Sequence, residues 1–367
     1  MKNSSISKNV MKISVVGASL VALTACGTPP PKDKVAGANS NYIACMVSDN
    51  GGFNDRSFNQ SSHQGLLDAQ KDLGITIKAA ESQAITDYQP NLNLMMEGKC
   101  NLTITIGFNL ADATKATATN NPNRHFATVD DASTQLPNVK PITFDTAQAA
   151  FLGGYVAASQ TKTGAVGTYG GLPIPPVTIY MDGFADGVKY YNQTKHKNVK
   201  LIGWNKDKQN GAFTGDFQDV AKGKQVTQNI VDQGADIVMP VAGPVGAGTA
   251  TLASELGQNP DGSNKLNMIW VDADGYESQP QYQQYMITSV MKRTDLSVED
   301  VIKADESGKF TNKPYVGTLA NGGVGIAPYH DFDSKVSAQT KQEVDQLKKD
   351  ITSGKLVITS PATPTSK

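Results

Sequence analysis

Residues 42–80 read YIACMVSDNGGFNDRSFNQSSHQGLLDAQKDLGITIKAA, and their pattern sets the architecture. An apolar run at 42–47 meets a polar turn, SDNGG at 48–52, then a segment of helix length at 57–73, then a second apolar run at 75–79. Strand, turn, helix and strand in this order make one crossover unit, which returns the second strand parallel to the first. The alternation continues along the chain. Strand candidates fall at 102–106, 125–129, 140–144, 164–168, 200–204, 236–239, 268–272 and 286–289, and helical segments at 147–159, 177–191, 221–233 and 337–353. Such alternation predicts an α/β fold of parallel sheets covered by helices on both faces. Two successive sets, of about 100 and about 125 residues, predict two doubly wound lobes rather than one very wide sheet.

Doubly wound sheets bind ligands beyond the carboxyl ends of their strands. Polar or flexible residues stand at those places: Asp49 to Gly52 after the first strand, Asp130 and Asp131 after the fourth, Gly243 after a later one, and Asp272 to Gly275 after another. Within DNGGFNDRSFNQ at 49–60, two glycines allow a tight backbone path, Ser57 is placed to cap the helix, and Phe58 enters its first turn. Phe58 precedes the apolar stripe that begins at Leu66 and Leu67. A ring there, beside a carboxylate at a strand end, suits a flat ligand with polar edges, and core packing is the competing use. Each aspartate likewise has a structural use as a helix cap or Asx-turn, and Lys292 as a solvated charge.

The N-terminus carries a different message. Lys2, Lys8 and Lys12 precede an apolar stretch at 13–25 that is short for a membrane span, and Leu23-Thr24-Ala25-Cys26 closes it. The arrangement resembles a bacterial lipobox, which implies a signal at 1–25, lipid on Cys26, and a mature protein tethered on the extracytoplasmic face of the cell membrane. Residues 27–40, GTPPPKDKVAGANS, read as a spacer. Removing 1–25 takes three lysines and no acid from 33 basic and 34 acidic residues, leaving a net charge of −4. That balance is no nucleic-acid footprint. Four histidines scattered without ligand spacing support no metal site. Cys45 and Cys100, each in or beside an apolar run, read as buried thiols in preference to a disulfide, although an extracytoplasmic site permits the bridge.

With these motifs in view, the chain resembles the basic membrane protein (Bmp/Med) family of substrate-binding lipoproteins, whose characterised members bind purine nucleosides for ABC importers. The resemblance is carried by DNGGFNDRSFNQ at 49–60, GDFQDVAKGK at 215–224, QGADIVMPVAGPVGAG at 233–248, WVDADG at 270–275 and TSVMKR at 288–293. It implies the type I periplasmic-binding fold, two lobes joined by a three-crossing hinge and closing over a ligand. It also implies that Phe58 and Phe217 wall the base, Asp49 and Asp130 face it, Asp272 and Lys292 hold the ribose, and Gly243 permits close approach. Phe213 competes with Phe217, and Asp131 with Asp130. The implied partners are a nucleoside and the permease and ATPase subunits of an ABC importer, with the protein a monomer and not an enzyme.

The expected division is lobe 1 at 41–145 and 276–310, lobe 2 at 146–275 and 311–358, and a disordered tail at 359–367. Rival chemistries fit less well. Gly243 to Gly248 has the spacing G-x-x-G-x-G, the reverse of a dinucleotide fingerprint, and Asp272-x-Asp274-Gly275 lacks the glutamate of a calcium loop. No G-x-S-x-G or H-E-x-x-H occurs, so a nucleoside-processing enzyme has no visible machinery. A ligand-sensing surface lipoprotein shares every feature above and stays as the alternative.

Overall fold

The structure, a computed structural model, describes residues 41–365. The expected signal, Cys26 and the spacer to residue 40 lie outside the described residues. The first half of the fold holds β1 (Ile43–Val47), α1 (Phe58–Leu73), β2 (Thr76–Ala80), α2 (Tyr88–Glu97), β3 (Leu102–Ile106), α3 (Ala111–Asn120), β4 (His125–Val129) and β5 (Val139–Phe144). The second holds α4 (Thr146–Gln160), β6 (Ala165–Gly170), α5 (Pro175–Lys195), β7 (Lys200–Ile202), the short pair β8 (Trp204–Asn205) and β9 (Asn210–Gly211), α6 (Val220–Val231), β10 (Ile237–Val241), α7 (Ala247–Leu256), β11 (Asn267–Asp272), α8 (Gly275–Ser278) and β12 (Met286–Lys292). The chain then runs through α9 (Thr294–Glu306), β13 (Tyr315–Gly317), β14 (Val324–Ile326) and α10 (Ala338–Thr352).

Two six-stranded sheets result, in the orders β13-β5-β4-β3-β1-β2 and β14-β12-β11-β10-β6-β7. Every neighbouring pair in them is parallel except β12 with β14. Each sheet therefore repeats one winding, with its strand order reversing between β1 and β3 in the first and between β6 and β10 in the second. Buried β-branched and aliphatic residues fill the central strands, as in Leu102–Ile106 and Ile237–Val241, because helices cover both faces. Helix α4 is buried on nearly every side. Its close packing on α5 depends on glycine: a Cβ on Gly154 would stand 2.1 Å from the Phe184 carbonyl oxygen.

The chain passes between the sheets three times, after β5, after β12 and after β13. The crossings are tied together, Asp145 N donating to Gly317 O at 2.8 Å and Arg293 N to Gly323 O at 2.9 Å. This placement divides two segments that the sequence assigned whole. In 276–310, β12 belongs to the second sheet and only α9 returns to pack on α1. In 311–358, β13 pairs with β5 of the first sheet before β14 joins the second. Strands β13 and β14, of three residues each, are too short to show a period, while β12 is readable as a strand but nothing in its own pattern tells which sheet it joins.

Two further expectations are corrected. Cys45 and Cys100 form a disulfide, with Cα atoms 5.9 Å apart and 55 residues between them in sequence. Strand β1 pairs directly with β3, so the end of the turn before β3 is carried beside β1 and the two sulfurs meet. The expected disordered tail is ordered through Thr365: Ser360 Oγ donates to Asp182 Oδ2 at 2.6 Å, and Ala362 packs against the main core. A polar anchor and a small residue supply the order that low apolar content hides.

Candidate functional site

The carboxyl ends of both sheets face a shared cleft lined from both halves of the fold, the place where doubly wound sheets take their ligands. At the winding reversal of the first sheet, Asp49 follows β1 and Gly107 to Asn109 follow β3; at that of the second, Ile174, Pro176 and Val177 follow β6, Val241 ends β10, and Gly243 and Pro244 follow it. Asp130 ends β4, Asp272 ends β11 and Lys292 ends β12. All seven residues singled out from the sequence, Asp49, Phe58, Asp130, Phe217, Gly243, Asp272 and Lys292, line this one cavity.

Its electrostatic centre is Lys292, almost wholly buried. The ammonium lies 2.6 Å from Asp130 Oδ2 and 3.6 Å from Asp272 Oδ1, and above the rings of Phe58 and Tyr180 at 4.8 and 5.3 Å from their centroids. Burial alone would lower its pKa, but the attraction of Asp130 and Asp272 outweighs that and holds it above the ordinary lysine value. Asp130 comes from the first sheet and Lys292 from the second, so the pair spans the cleft. A second bridge runs beside it: Ser57 Oγ donates to Asp272 Oδ2 at 2.9 Å, while Tyr180 donates its hydroxyl to Asp272 Oδ1 at 2.9 Å. Burial raises the Tyr180 pKa well above the usual value, and the charge of Asp272 adds to it, so the phenol keeps its proton.

Asp130 and Asp272 share an unusual backbone, with φ of 63° and 68°. The left-handed region turns the chain sharply off the strand end and aims both carboxylates inward. Non-glycine residues held there cluster at functional sites.

Asp49 is organised by the turn in which it sits. Its Oδ1 accepts from Gly51 N at 3.0 Å and from Asn59 Nδ2 at 2.8 Å. Burial pushes its carboxyl up to about 6 against those hydrogen bonds. Among the described residues Asp49 Oδ2 and Asp130 Oδ1 have no hydrogen-bond partner, which leaves each free to accept from a ligand. A Cβ on Gly107 would stand 2.7 Å from Asp49 Oδ2, so glycine there is what lets the carboxylate lie against the β3 turn.

The helix start differs from the sequence reading. Asp55, not Ser57, caps α1: its Oδ1 accepts from Ser57 N and Gln60 N, and its Oδ2 from Asn59 N. This frees the Ser57 hydroxyl for Asp272. The open alternatives also resolve in position. Phe217 lines the cavity and lies against Gly171, where a Cβ would stand 2.2 Å from the ring. Phe213 packs edge-on against Trp204, with centroids 6.0 Å apart. Asp131 turns away from the cleft and accepts from Ser133 N at 2.9 Å.

Asp55, Asn59 and Tyr180 also line the cleft and were missed. The first two stand inside the quoted 49–60 motif, where their polarity was readable. Tyr180 sits three residues after Val177 on α5 and gave no signal beyond its place on a helix that starts after a strand. Among the described residues no group of acids, histidines and cysteines is arranged to hold a metal ion, and no helix is long and apolar enough to cross a membrane.

The profile of one family, described as ABC transporter substrate-binding protein PnrA-like, matches residues 43–360. The ABC transporter nucleoside-binding protein BmpA of Lactococcus lactis subsp. cremoris is 30% identical over 365 residues, covering 96% of this chain and 99% of that protein. Basic membrane protein A of Borreliella burgdorferi is 27% identical, covering 84% and 86%. Among solved structures, an ABC transporter solute-binding protein from Aeropyrum pernix superposes with a TM-score of 0.76 at 25% identity, covering 87% of this chain and 94% of that one.

Proposed function

The chain belongs to the PnrA-like family of ABC transporter substrate-binding proteins, and from that premise we propose that it captures a nucleoside in the cleft and delivers it to an ABC permease and ATPase. The observation that carries the reading is the meeting of Phe58, Phe217, three aspartates and one lysine from both sheets in one cavity. The nucleoside-binding name of the lactococcal relative, similar along almost its whole length, gives it further support.

In this reading the base lies between Phe58 and Phe217. Asp49 Oδ2 and Asp130 Oδ1 accept from its N–H groups, and Asp272 and Lys292 hold the ribose hydroxyls. Gly243, with φ of 53°, presents bare backbone to the ligand. Each oxygen of Asp272 already has a donor and keeps a second lone pair for a hydroxyl. The cleft binds and does no chemistry; the two lobes close over the ligand as a monomer, and Cys26 carries the lipid that tethers the protein outside the cell membrane.

Calorimetry tests the site. Phe58→Leu and Phe217→Leu keep bulk but remove the flat face, and each should weaken nucleoside binding by about 1–3 kcal/mol, roughly ten- to a hundredfold. Asp272→Ala should weaken ribosides far more than free bases. Unchanged affinity in both folded Phe variants would remove the sandwich, and no heat with any nucleoside would remove the ligand class.

A further inference from the structure

Beside the ligand cavity lies a second, open pocket that shares Phe108, Asp130 and Pro176 with it. Its far wall is made by Ala362, Pro364 and Thr365 of the C-terminal segment. The other walls come from both halves of the fold: Asp131 to Ser133 with Phe144 on one side, and Pro175 with Ile179 of α5 on the other. The segment thus lies where the first half meets the second, beside the turn that carries Asp130.

The segment is rooted firmly. Asp182 is fully buried in α5, and its Oδ1 accepts from Trp204 Nε1 and Gln209 Nε2, both at 2.9 Å. Its Oδ2 accepts from Ser360 Oγ at 2.6 Å. A buried carboxylate needs that donor, so the root of the segment is held by the desolvation of a charge. Beyond it the chain is stiff. Ala362 N donates to Ser360 Oγ, Thr363 N to Ser360 O, and Ser360 N to Thr363 Oγ1, all at 3.0 Å. Pro361 and Pro364 fix φ on either side of that turn. A short, preorganised arm rooted in the second half thereby faces the first half's 131–133 turn across the pocket that both line.

We propose that residues 359–365 are a strap that holds the Asp130 turn against α5 and so slows opening of the cleft and escape of its ligand. The retention part rests on the reading that a small molecule occupies that cleft; the opening part does not. The strap acts by position, since none of residues 359–365 lines the ligand cavity itself.

Three forms of the full chain test it: a stop codon in place of Pro361, Ala362→Glu and Ala362→Lys. The two substitutions keep Ser360 and its bond to Asp182, so their melting temperatures should stay near that of the parent. The truncation and Ala362→Glu, which adds a second acid to the pocket that Asp131 lines, should widen the unliganded protein in small-angle scattering and speed inosine release in stopped flow by roughly threefold or more, with the association rate little changed. Ala362→Lys, drawn to the same acid, should release inosine no faster than the parent. Superimposable scattering profiles and equal release rates would overturn the strap. So would glutamate and lysine acting alike, since a mere packing fault has no charge sign. If inosine binds no form, the scattering comparison still decides the strap, and only the nucleoside reading falls.

Discussion

Replacing Lys292 by methionine keeps the unbranched stem, one atom shorter, and removes the charge, which leaves two buried carboxylates without their shared cation. The Asp130 and Asp272 side chains are only 8% and 9% exposed, so water cannot take over the role of the ammonium. Removing one partner of such a pair costs about 3–5 kcal/mol, a large share of the ~5–15 kcal/mol that holds a typical domain folded. Asp130→Asn is the natural companion, because asparagine tolerates the left-handed backbone at φ 63°. Alone it should cost about 1–3 kcal/mol, since Lys292 keeps Asp272 at 3.6 Å. With both changes the Asp130 charge that the methionine variant strands is gone, so the double variant should be no less stable than Lys292→Met by itself. Urea unfolding followed by the fluorescence of Trp204 and Trp270, both buried, measures all three, with an unchanged m-value certifying that only stability moved. Burial already holds the Asp130 carboxyl above the usual carboxylate range against the pull of Lys292, and loss of the lysine raises it further. A folded-state pKa above the unfolded value gives stability that is present at low pH and lost as pH rises through the folded value. The methionine variant should therefore recover part of its loss on acidification from neutral pH. Strictly additive single and double effects, together with no such recovery, would refute the coupling drawn from the geometry.

Ligand affinity should fall as pH drops through about 6, where Asp49 takes up a proton and its free oxygen stops accepting, and Asp49→Asn should flatten that dependence in calorimetry. The unliganded protein moves oppositely on this residue's account: the raised carboxyl favours the folded state below the unfolded value of 3.8 and loses that contribution as pH rises through about 6. Replacing both Cys45 and Cys100 by alanine opens a loop spanning 55 residues and should cost about 4 kcal/mol in urea unfolding on the loop-entropy account; a loss under about 1 kcal/mol would mean that the unfolded chain is already compact there. Cys26→Ser should move the protein from the membrane fraction to the soluble one with nucleoside binding intact, and retention in the membrane would count against the lipid anchor.

The winding of both sheets was legible because each crossover unit announces itself: a short apolar run, a turn, a helix-length segment and another apolar run. All ten strand candidates appear as paired strands in the two sheets. Strands β13 and β14 were not legible. Three residues carry no period, and their pairing is set by the hinge. Residues after strands were found by position alone, since the carboxyl end of a parallel sheet is where side chains escape the core. What escaped detection depends on partners far away in sequence. Ser57 looked like a cap until Asp55 proved nearer to the free amides, and Tyr180 acquires its role only from Asp272, 92 residues on. Phe217 and Phe213 could not be separated by spacing four residues apart. Their seats differ in the fold, Phe217 on Gly171 lining the cavity and Phe213 on Gly170 at the end of β6.

The left-handed backbone at Asp130 and Asp272 also limits how the cleft can evolve. Only glycine, asparagine and aspartate occupy that conformation routinely, so most substitutions at either position damage the chain path before they alter the ligand. Glycine keeps the path and deletes the carboxylate. Asparagine keeps both path and shape, exchanges an acceptor for a donor, and lies one base change from either aspartate codon. On the proposed reading, preference for a different pattern of ligand hydrogens can thus arise at these two positions by a single mutational step, whereas reshaping the Phe217 wall requires movement of the glycine on which it rests, Gly171.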